Sequence, residues 1–178
     1  MASGDTLFVL TPQAYTPPGT LYATLDTVVD GSDPVMSIPV LDFDGNSQNE
    51  AADWFVTMPS HYSGSGLTFT YKYAMSGSVG HAVKLTFLAN DFTDATSVLT
   101  ADLAIDGQTG KALIDDPSGT QNEFNMTAAS TTMLHSEAGS PAAGAYMIIR
   151  AWREYNYDAG SGANTDDLQL LAVHVKEA

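Results

Sequence analysis

The chain has 178 residues and a mass of 18.8 kDa, which is the size of about one domain. Its 6 basic and 21 acidic residues give a formal net charge of −15. A surface that negative repels phosphate backbones and anionic lipids, so we expect neither nucleic-acid binding nor membrane attachment.

The N-terminal segment, residues 1–20, differs from the rest of the chain. It begins without the basic and apolar stretches of a secretory signal, so we expect a soluble protein that carries no such signal. A short apolar run precedes a Pro17-Pro18 pair, which favours extended polyproline geometry. We therefore predict an extended N-terminal arm that docks on a neighbouring subunit, although a first strand of the same domain fits the sequence equally well. The candidate partner-binding residues of this arm are Leu7, Phe8, Val9, Leu10 and Tyr15.

Residues 21–178 are predicted to form a single β-sandwich domain. β-branched residues outnumber Glu, Lys and Arg, a balance that suits pleated surfaces better than helices. Apolar and polar residues alternate over 67–75 and 83–89, the period of a strand with one buried face. Further strands are predicted over 21–29, 35–43, 54–58, 99–105, 111–114, 123–133, 145–153 and 168–176. About eight to ten short strands separated by turns indicate an all-β antiparallel sandwich, most simply a jelly roll, although a closed barrel would show the same pattern.

Two segments carry more specific expectations. Residues 145–153 are apolar at odd and even positions alike, which predicts a strand in the centre of a sheet. Ser47 to Glu50 has the spacing of a capping box, which predicts one or two helical turns before Pro59.

The sequence contains no recognisable catalytic or metal-binding motif. The chain has no cysteine and no serine in a Gly-x-Ser-x-Gly elbow, and its four histidines are scattered, so we expect no enzymatic activity. Residues 42–46 place oxygen ligands at alternate positions, as a calcium loop does. The glycine and glutamate that an EF-hand needs are absent from the corresponding positions, so this run is interpreted as a turn, and we expect no cofactor.

Aromatic residues are the remaining indication of a binding site. Those able to stack on sugars, as in carbohydrate-binding sandwiches, are Trp54, Tyr62, Tyr71, Tyr73, Trp152, Tyr155 and Tyr157. Tyr71 and Tyr73 share the parity of apolar neighbours in an alternating strand, which favours core packing for both. Tyr155 and Tyr157 precede a glycine-rich loop and are the candidate exposed contacts for a partner or ligand.

Three segments resemble a known family. Residues 53–67 combine an apolar strand, a Met-Pro step, a tyrosine, a glycine-rich corner and an alternating strand. Residues 40–44 match an opening strand, and residues 166–175 match a last strand that follows an acidic corner. Together, over roughly residues 35–178, these features resemble small jelly-roll virion proteins of tailed bacteriophages, of the capsid decoration (cement) or fibre type.

The resemblance implies a structural role without catalytic residues. The protein would bind and stabilise the major capsid protein as a homo-oligomer, most simply a trimer, on the capsid surface of the virion. Several weak contacts made by one oligomer would give firm attachment. An alternative is a glycan- or receptor-binding β-sandwich module of a phage tail or fibre. A third possibility, a β-sandwich hydrolase, would require two carboxylates that converge in one cleft.

Overall fold

The computed structural model describes residues 4–29, 31, 33–77, 80–92, 105–160 and 162–178, with the backbone alone for Asp106. The strands are β1 (Thr6–Leu10), β2 (Thr24–Val29), β3 (Ser37–Phe43), β4 (Glu50–Thr57), β5 (Leu67–Met75), β6 (Val83–Phe92), β7 (Lys111–Asp115), β8 (Asn125–Met126), β9 (Thr131–Met133), β10 (Tyr146–Arg153) and β11 (Leu168–Glu177). Short 3-10 helices cover Pro12–Ala14, Ile105–Gly107 and His135–Ala138. In this part of the chain, no helix has the length and apolar character needed to cross a membrane.

The strands form two antiparallel sheets, which confirms the predicted all-β sandwich. Sheet A has the order β2-β3-β11-β5-β8, with β1 also paired to β11 and β9 to β5. Sheet B has the order β4-β10-β6-β7. The prediction of a central strand over residues 145–153 is also confirmed, because β10 lies between β4 and β6. The strand predicted over residues 99–105 falls almost entirely outside the described residues.

The core lies between the sheets because alternate residues of each strand point inward. Phe69 of β5 stacks on Phe87 of β6 with ring centroids 4.8 Å apart and an interplanar angle of 5°. Tyr71 and Tyr73 are fully buried beside them, which confirms their predicted core role. Large aromatic rings in register across the two sheets supply much of the apolar area that stabilises such a sandwich.

The N-terminal segment contributes a strand to sheet A. β1 pairs antiparallel with β11, with Leu10 opposite Val173. Leu7 and Leu10 are buried in the core, whereas Val9 is exposed. This pairing agrees with the alternative interpretation, in which the segment is the first strand of the same domain. That residues 1–20 also contact a neighbouring subunit stays a prediction.

The helix predicted after Ser47 does not form. The carboxylate of Asp44 accepts hydrogen bonds at Oδ1 from the backbone N–H groups of Asn46 and Ser47, which closes a tight turn. Glu50 then begins β4, and its Oε2 accepts a hydrogen bond from the backbone N–H of Asp44 at 2.8 Å. The prediction was wrong because Asp44 takes the backbone N–H of Ser47 that the capping box would use, and the Glu50 carboxylate bonds Asp44 in place of Ser47.

Candidate functional site

An exposed tryptophan stands on the outer surface of sheet B. Along β10 the even-numbered residues point away from the core, and Trp152 is one of them. Its cross-strand neighbours are Ala51 of β4 and Thr86 of β6. Because both neighbours are small, the indole rises above the sheet and keeps 36% of its surface exposed.

A depression lies on each side of this indole. The first, about 660 Å³, is on the β4 side and is lined by Pro18, Gly19, Thr20, Leu21, Asn49, Glu50, Ala51 and Arg150 as well as Trp152. The second, about 520 Å³, is on the β6 side and is lined by Asn49, Thr86, Leu88, Gly110, Glu154, Tyr155 and Asn156 as well as Trp152. We call the two depressions and the indole between them the Trp152 groove. It runs across the strands, and Asn49 borders both halves.

The outer wall of the first depression is the proline-rich loop that follows β1. Thr16 and Asp53 exchange backbone hydrogen bonds of 2.7 and 3.3 Å, and the backbone N–H of Ala51 donates to the carbonyl of Leu21 at 2.8 Å. These bonds attach both ends of the loop to the edge of β4. Leu21 has a φ of 54° and is 51% exposed. A leucine in this left-handed region is uncommon, and strained residues of this kind are often found at binding sites.

A rigid ion pair lies in the floor of the first depression. Arg150 lies directly opposite Asp53 on the neighbouring strand. The guanidinium donates from Nε to Oδ1 at 2.7 Å and from Nη2 to Oδ2 at 2.9 Å. This two-point contact fixes the plane of the guanidinium and neutralises its charge. The Arg150–Asp53 pair therefore supplies a polar floor without net charge beside the indole.

The second depression is bordered by the loop that follows β10. The backbone N–H of Tyr155 donates to Oδ1 of Asn49 at 3.0 Å, which fixes this amide at the rim between the two halves. Nearby, Nζ of Lys84 bonds Glu154 at 2.7 Å and lies 5.1 Å from the ring centroid of Tyr157. Tyr155 lines the groove, whereas the ring of Tyr157 packs against the ammonium group of Lys84.

The other predicted contact residues are dispersed over the molecule. Leu7 and Leu10 are core residues, and Phe8 and Tyr15 pack against the core partly buried. Val9 lies opposite His174, on the outer face of sheet A. None of these five residues lines the Trp152 groove, and their predicted role as partner contacts stays a prediction.

Two of the aromatic residues considered for sugar stacking belong to the core. Trp54 is buried, and its Nε1 donates to the carbonyl of Thr11 at 2.9 Å. Tyr62 is buried as well, and its hydroxyl accepts a hydrogen bond from the backbone N–H of Gly66 at 3.2 Å. Their rings are therefore not available to an external ligand.

Sequence reasoning did not identify the groove itself. It considered Trp152 as a stacking residue but placed it in a strand that was apolar on both faces. Arg150 shares the parity of Trp152, but Arg153 stands at the opposite parity, so charge did not indicate which side of this strand faces outward. The contributions of Asn49 and of the 18–21 loop had no sequence signal, since they depend on which strands become neighbours.

A separate acidic depression of about 440 Å³ lies where β3 meets the turn before β4. Its lining includes Asp42, Asp44, Glu50 and Asp167. Burial, together with the charges of Asp167, Asp26 and Glu50, raises the pKa of Asp42 to about 6. Hydrogen bonds from the Ser47 hydroxyl and nearby backbone N–H groups lower the pKa of Asp44. Among the residues that the structure describes, no group of three or more His, Cys, Asp or Glu side chains is arranged to hold a metal ion.

Two carboxylates border the Trp152 groove, one on each side of the indole. Glu50 is the carboxylate that lines the first depression, and Glu154 is the one that lines the second. Glu154 is already engaged by Lys84. Two carboxylates on opposite sides of one bond are the requirement for glycoside hydrolysis, and here the indole of Trp152 stands between Glu50 and Glu154.

Comparisons with known proteins show likeness at the level of the fold. No protein-family model matches the chain, and no curated protein sequence matches it. Among solved structures, a xylan-binding module, CBM15, has 10% identity and a TM-score of 0.48 over 97% of each chain. The mannan-recognising module TmCBM27 has 10% identity and a TM-score of 0.45 over 99% of each chain. The CBM36-1 domain of a xylanase from the hindgut metagenome of Trinervitermes trinervoides has 9% identity and a TM-score of 0.44 over 96% of this chain and 97% of that one.

These three proteins share a β-sandwich with the chain, and scores this low assign it no ligand. The two antiparallel sheets of the chain itself support the β-sandwich part of the resemblance found in the sequence, and its virion part stays a prediction.

Proposed function

We propose that the protein is a non-catalytic carbohydrate-binding module and that the Trp152 groove is its binding site. The supporting observation is the indole of Trp152, which is exposed in the middle of a sheet and flanked by small residues. A flat aromatic ring offers an apolar surface to the C–H face of a sugar, and polar groups at fixed positions orient a ligand through its hydroxyls. Arg150, Asn49 and Tyr155 border the ring in this way.

The charge of the protein favours a neutral glycan. The net charge of −15 repels acidic polysaccharides. The guanidinium in the groove is neutralised by Asp53, so the groove does not offset that repulsion. A depression on each side of one ring suits a chain of at least two sugar units that crosses the strands.

Binding to a panel of neutral polysaccharides tests this function. Affinity electrophoresis with xylan, mannan and β-glucans, followed by calorimetry on the best ligand, measures it directly. Trp152→Ala should weaken binding at least about tenfold, because one lost aromatic stacking contact costs roughly 1.4 kcal/mol or more. Tyr146→Ala is the matched control, since Tyr146 is an aromatic residue 49% exposed at the other end of the same strand and lines neither depression. Absence of binding to every polysaccharide, or equal losses in the two variants, would contradict the proposal.

A trimeric capsid decoration protein is the second candidate. It is favoured by exposed apolar residues outside the groove, among them Val9, Phe124 and Met126, because assembly proteins need such surfaces. Detection of the chain in purified phage particles, together with a trimeric mass in solution, would favour this candidate.

A further inference from the structure

The outer face of sheet A carries an apolar strip. Val28, Ile38, Val40, Leu171 and Phe124 border a shallow depression of about 90 Å³. Ile38 and Phe124 are exposed around it. Val28 and Leu171 are partly exposed and Val40 is buried between them, and apolar side chains grouped around a surface depression are typical of an interaction site.

The two ends of this strip have opposite charge. At one end, Asp42 lies beside Gln169 of β11, and Asp26 lies beside Val40. At the other end, Lys72 lies opposite Ala172 of β11. We call these the acidic end and the basic end of the strip.

Two further residues of β11 complete the basic end. His174 lies opposite Thr70, in the outward-facing row next to Lys72, and Lys176 lies opposite Thr68, one row further along. Burial and the charges of Lys72 and Lys176 lower the pKa of His174. The basic end therefore groups three basic residues on one face of two neighbouring strands.

The basic end is unusual in so acidic a protein. The whole chain has six Lys and Arg residues. Four of them are engaged elsewhere: Lys84, Lys111 and Arg150 in ion pairs with carboxylates, and Arg153 within the protein interior. Among the described residues, Lys72 and Lys176 are the cations that form no such pair, and both lie on this one face.

We propose that this face docks on the same face of a second copy of the chain. A two-fold axis in the plane of the interface, passing near Val40 and Leu171, would place the acidic end of each copy on the basic end of the other. Asp42 would then oppose Lys72 twice, and the apolar strips would meet in the middle. An isologous interface needs a surface that is complementary to itself, and opposite charges at the two ends of an apolar strip meet that condition. This proposal does not depend on the function of the Trp152 groove.

The oligomeric mass of the full chain in solution tests the proposal. In sedimentation velocity near neutral pH, the wild type should have the mass of two chains, and added salt should weaken the dimer. Asp42→Lys alone and Lys72→Glu alone should each be monomeric, because each places like charges in both contacts. An equimolar mixture of the two variants should recover the dimer. In the mixed dimer, the two substituted positions attract each other and the two unsubstituted positions keep their native attraction.

Two further measurements keep the test decisive. Ala112→Glu adds a negative charge to an exposed position on sheet B and should leave the dimer intact. If Asp42→Lys fails to fold, the exposed pair Asp26→Lys and Lys176→Glu replaces the first pair in the same mixing experiment. A monomeric or trimeric wild type would overturn the proposal, as would a mixture that stays monomeric or single variants that dimerise normally. Wild-type dimers that Ala112→Glu also disrupts would indicate a different interface and overturn it as well.

Discussion

Replacement of Asp42 by asparagine should make the monomeric chain more stable at neutral pH, while it removes one charge from each contact of the proposed dimer. Oδ1 of Asp42 is buried and accepts no hydrogen bond from the described residues. Burial is the largest cause of its raised pKa of about 6, and the charges of Asp167, Asp26 and Glu50 add to it, while Arg153 acts in the opposite direction. Asparagine keeps the shape of the side chain and removes the charge that the folded protein disfavours.

The size and sign of the effect follow from the pKa. The ordinary value is 3.8 and the folded value is about 6, and each unit corresponds to about 1.4 kcal/mol, which sets an upper limit of about 3 kcal/mol. Asp42 is only half-buried, so solvent screening reduces the expected gain to about 1 kcal/mol. Because the folded pKa of this acid is raised, its contribution to stability falls as the pH rises from 3.8 to about 6. It is constant outside that window.

Urea denaturation of the wild type and Asp42→Asn across this window measures the effect. The difference in the free energy of unfolding should be smallest below the ordinary pKa, grow through the window and level off above about pH 6. Asp44→Asn is the matched control with the opposite sign, because hydrogen bonds from Ser47 and Asn46 lower the pKa of Asp44. A difference for Asp42→Asn that does not change with pH, or a variant less stable at pH 7 than at pH 4 relative to wild type, would refute this reasoning.

Two other substitutions test the loops that position the sandwich edges. Oε1 of Glu177 accepts hydrogen bonds from the backbone N–H and hydroxyl of Ser63 and from the Ser65 hydroxyl, and these lower its pKa. Glu177→Gln should therefore lower the thermal midpoint at neutral pH, and the deficit should shrink as the pH falls through the pKa of Glu177; a constant deficit would contradict this. Leu21→Gly should change stability by less than about 1 kcal/mol, because glycine accepts a φ of 54° without strain. It should nevertheless weaken polysaccharide binding by removing a side chain from the groove wall, and unchanged affinity in calorimetry would exclude Leu21 from the site.

The secondary structure of this chain follows largely from local pattern. The alternation over 67–75 coincides with β5, and the doubly apolar segment 145–153 became the central strand β10. The alternation of apolar and polar residues in a strand depends only on which of its faces are buried. It can therefore be recognised in a short run of consecutive residues. The helix expected at Ser47 did not form because a second local feature, the turn closed by Asp44, competed with it for the backbone.

The groove depended on pairing between distant segments. Trp152 is exposed because β4 brings Ala51 to one side of it and β6 brings Thr86 to the other. The residues next to Trp152 in the sequence do not indicate which residues will lie beside it on the neighbouring strands. In the same way, the acidic and basic ends of the apolar strip come from strands far apart in the chain.

The amino-acid sequence by itself therefore determined the sandwich, its acidic character and most strand positions, because these depend on composition and on spacing along one strand. Only the tertiary structure decided where a tryptophan stands exposed and which charges share a face. Those properties depend on the order and register of strands, which are set by contacts between residues far apart in the chain.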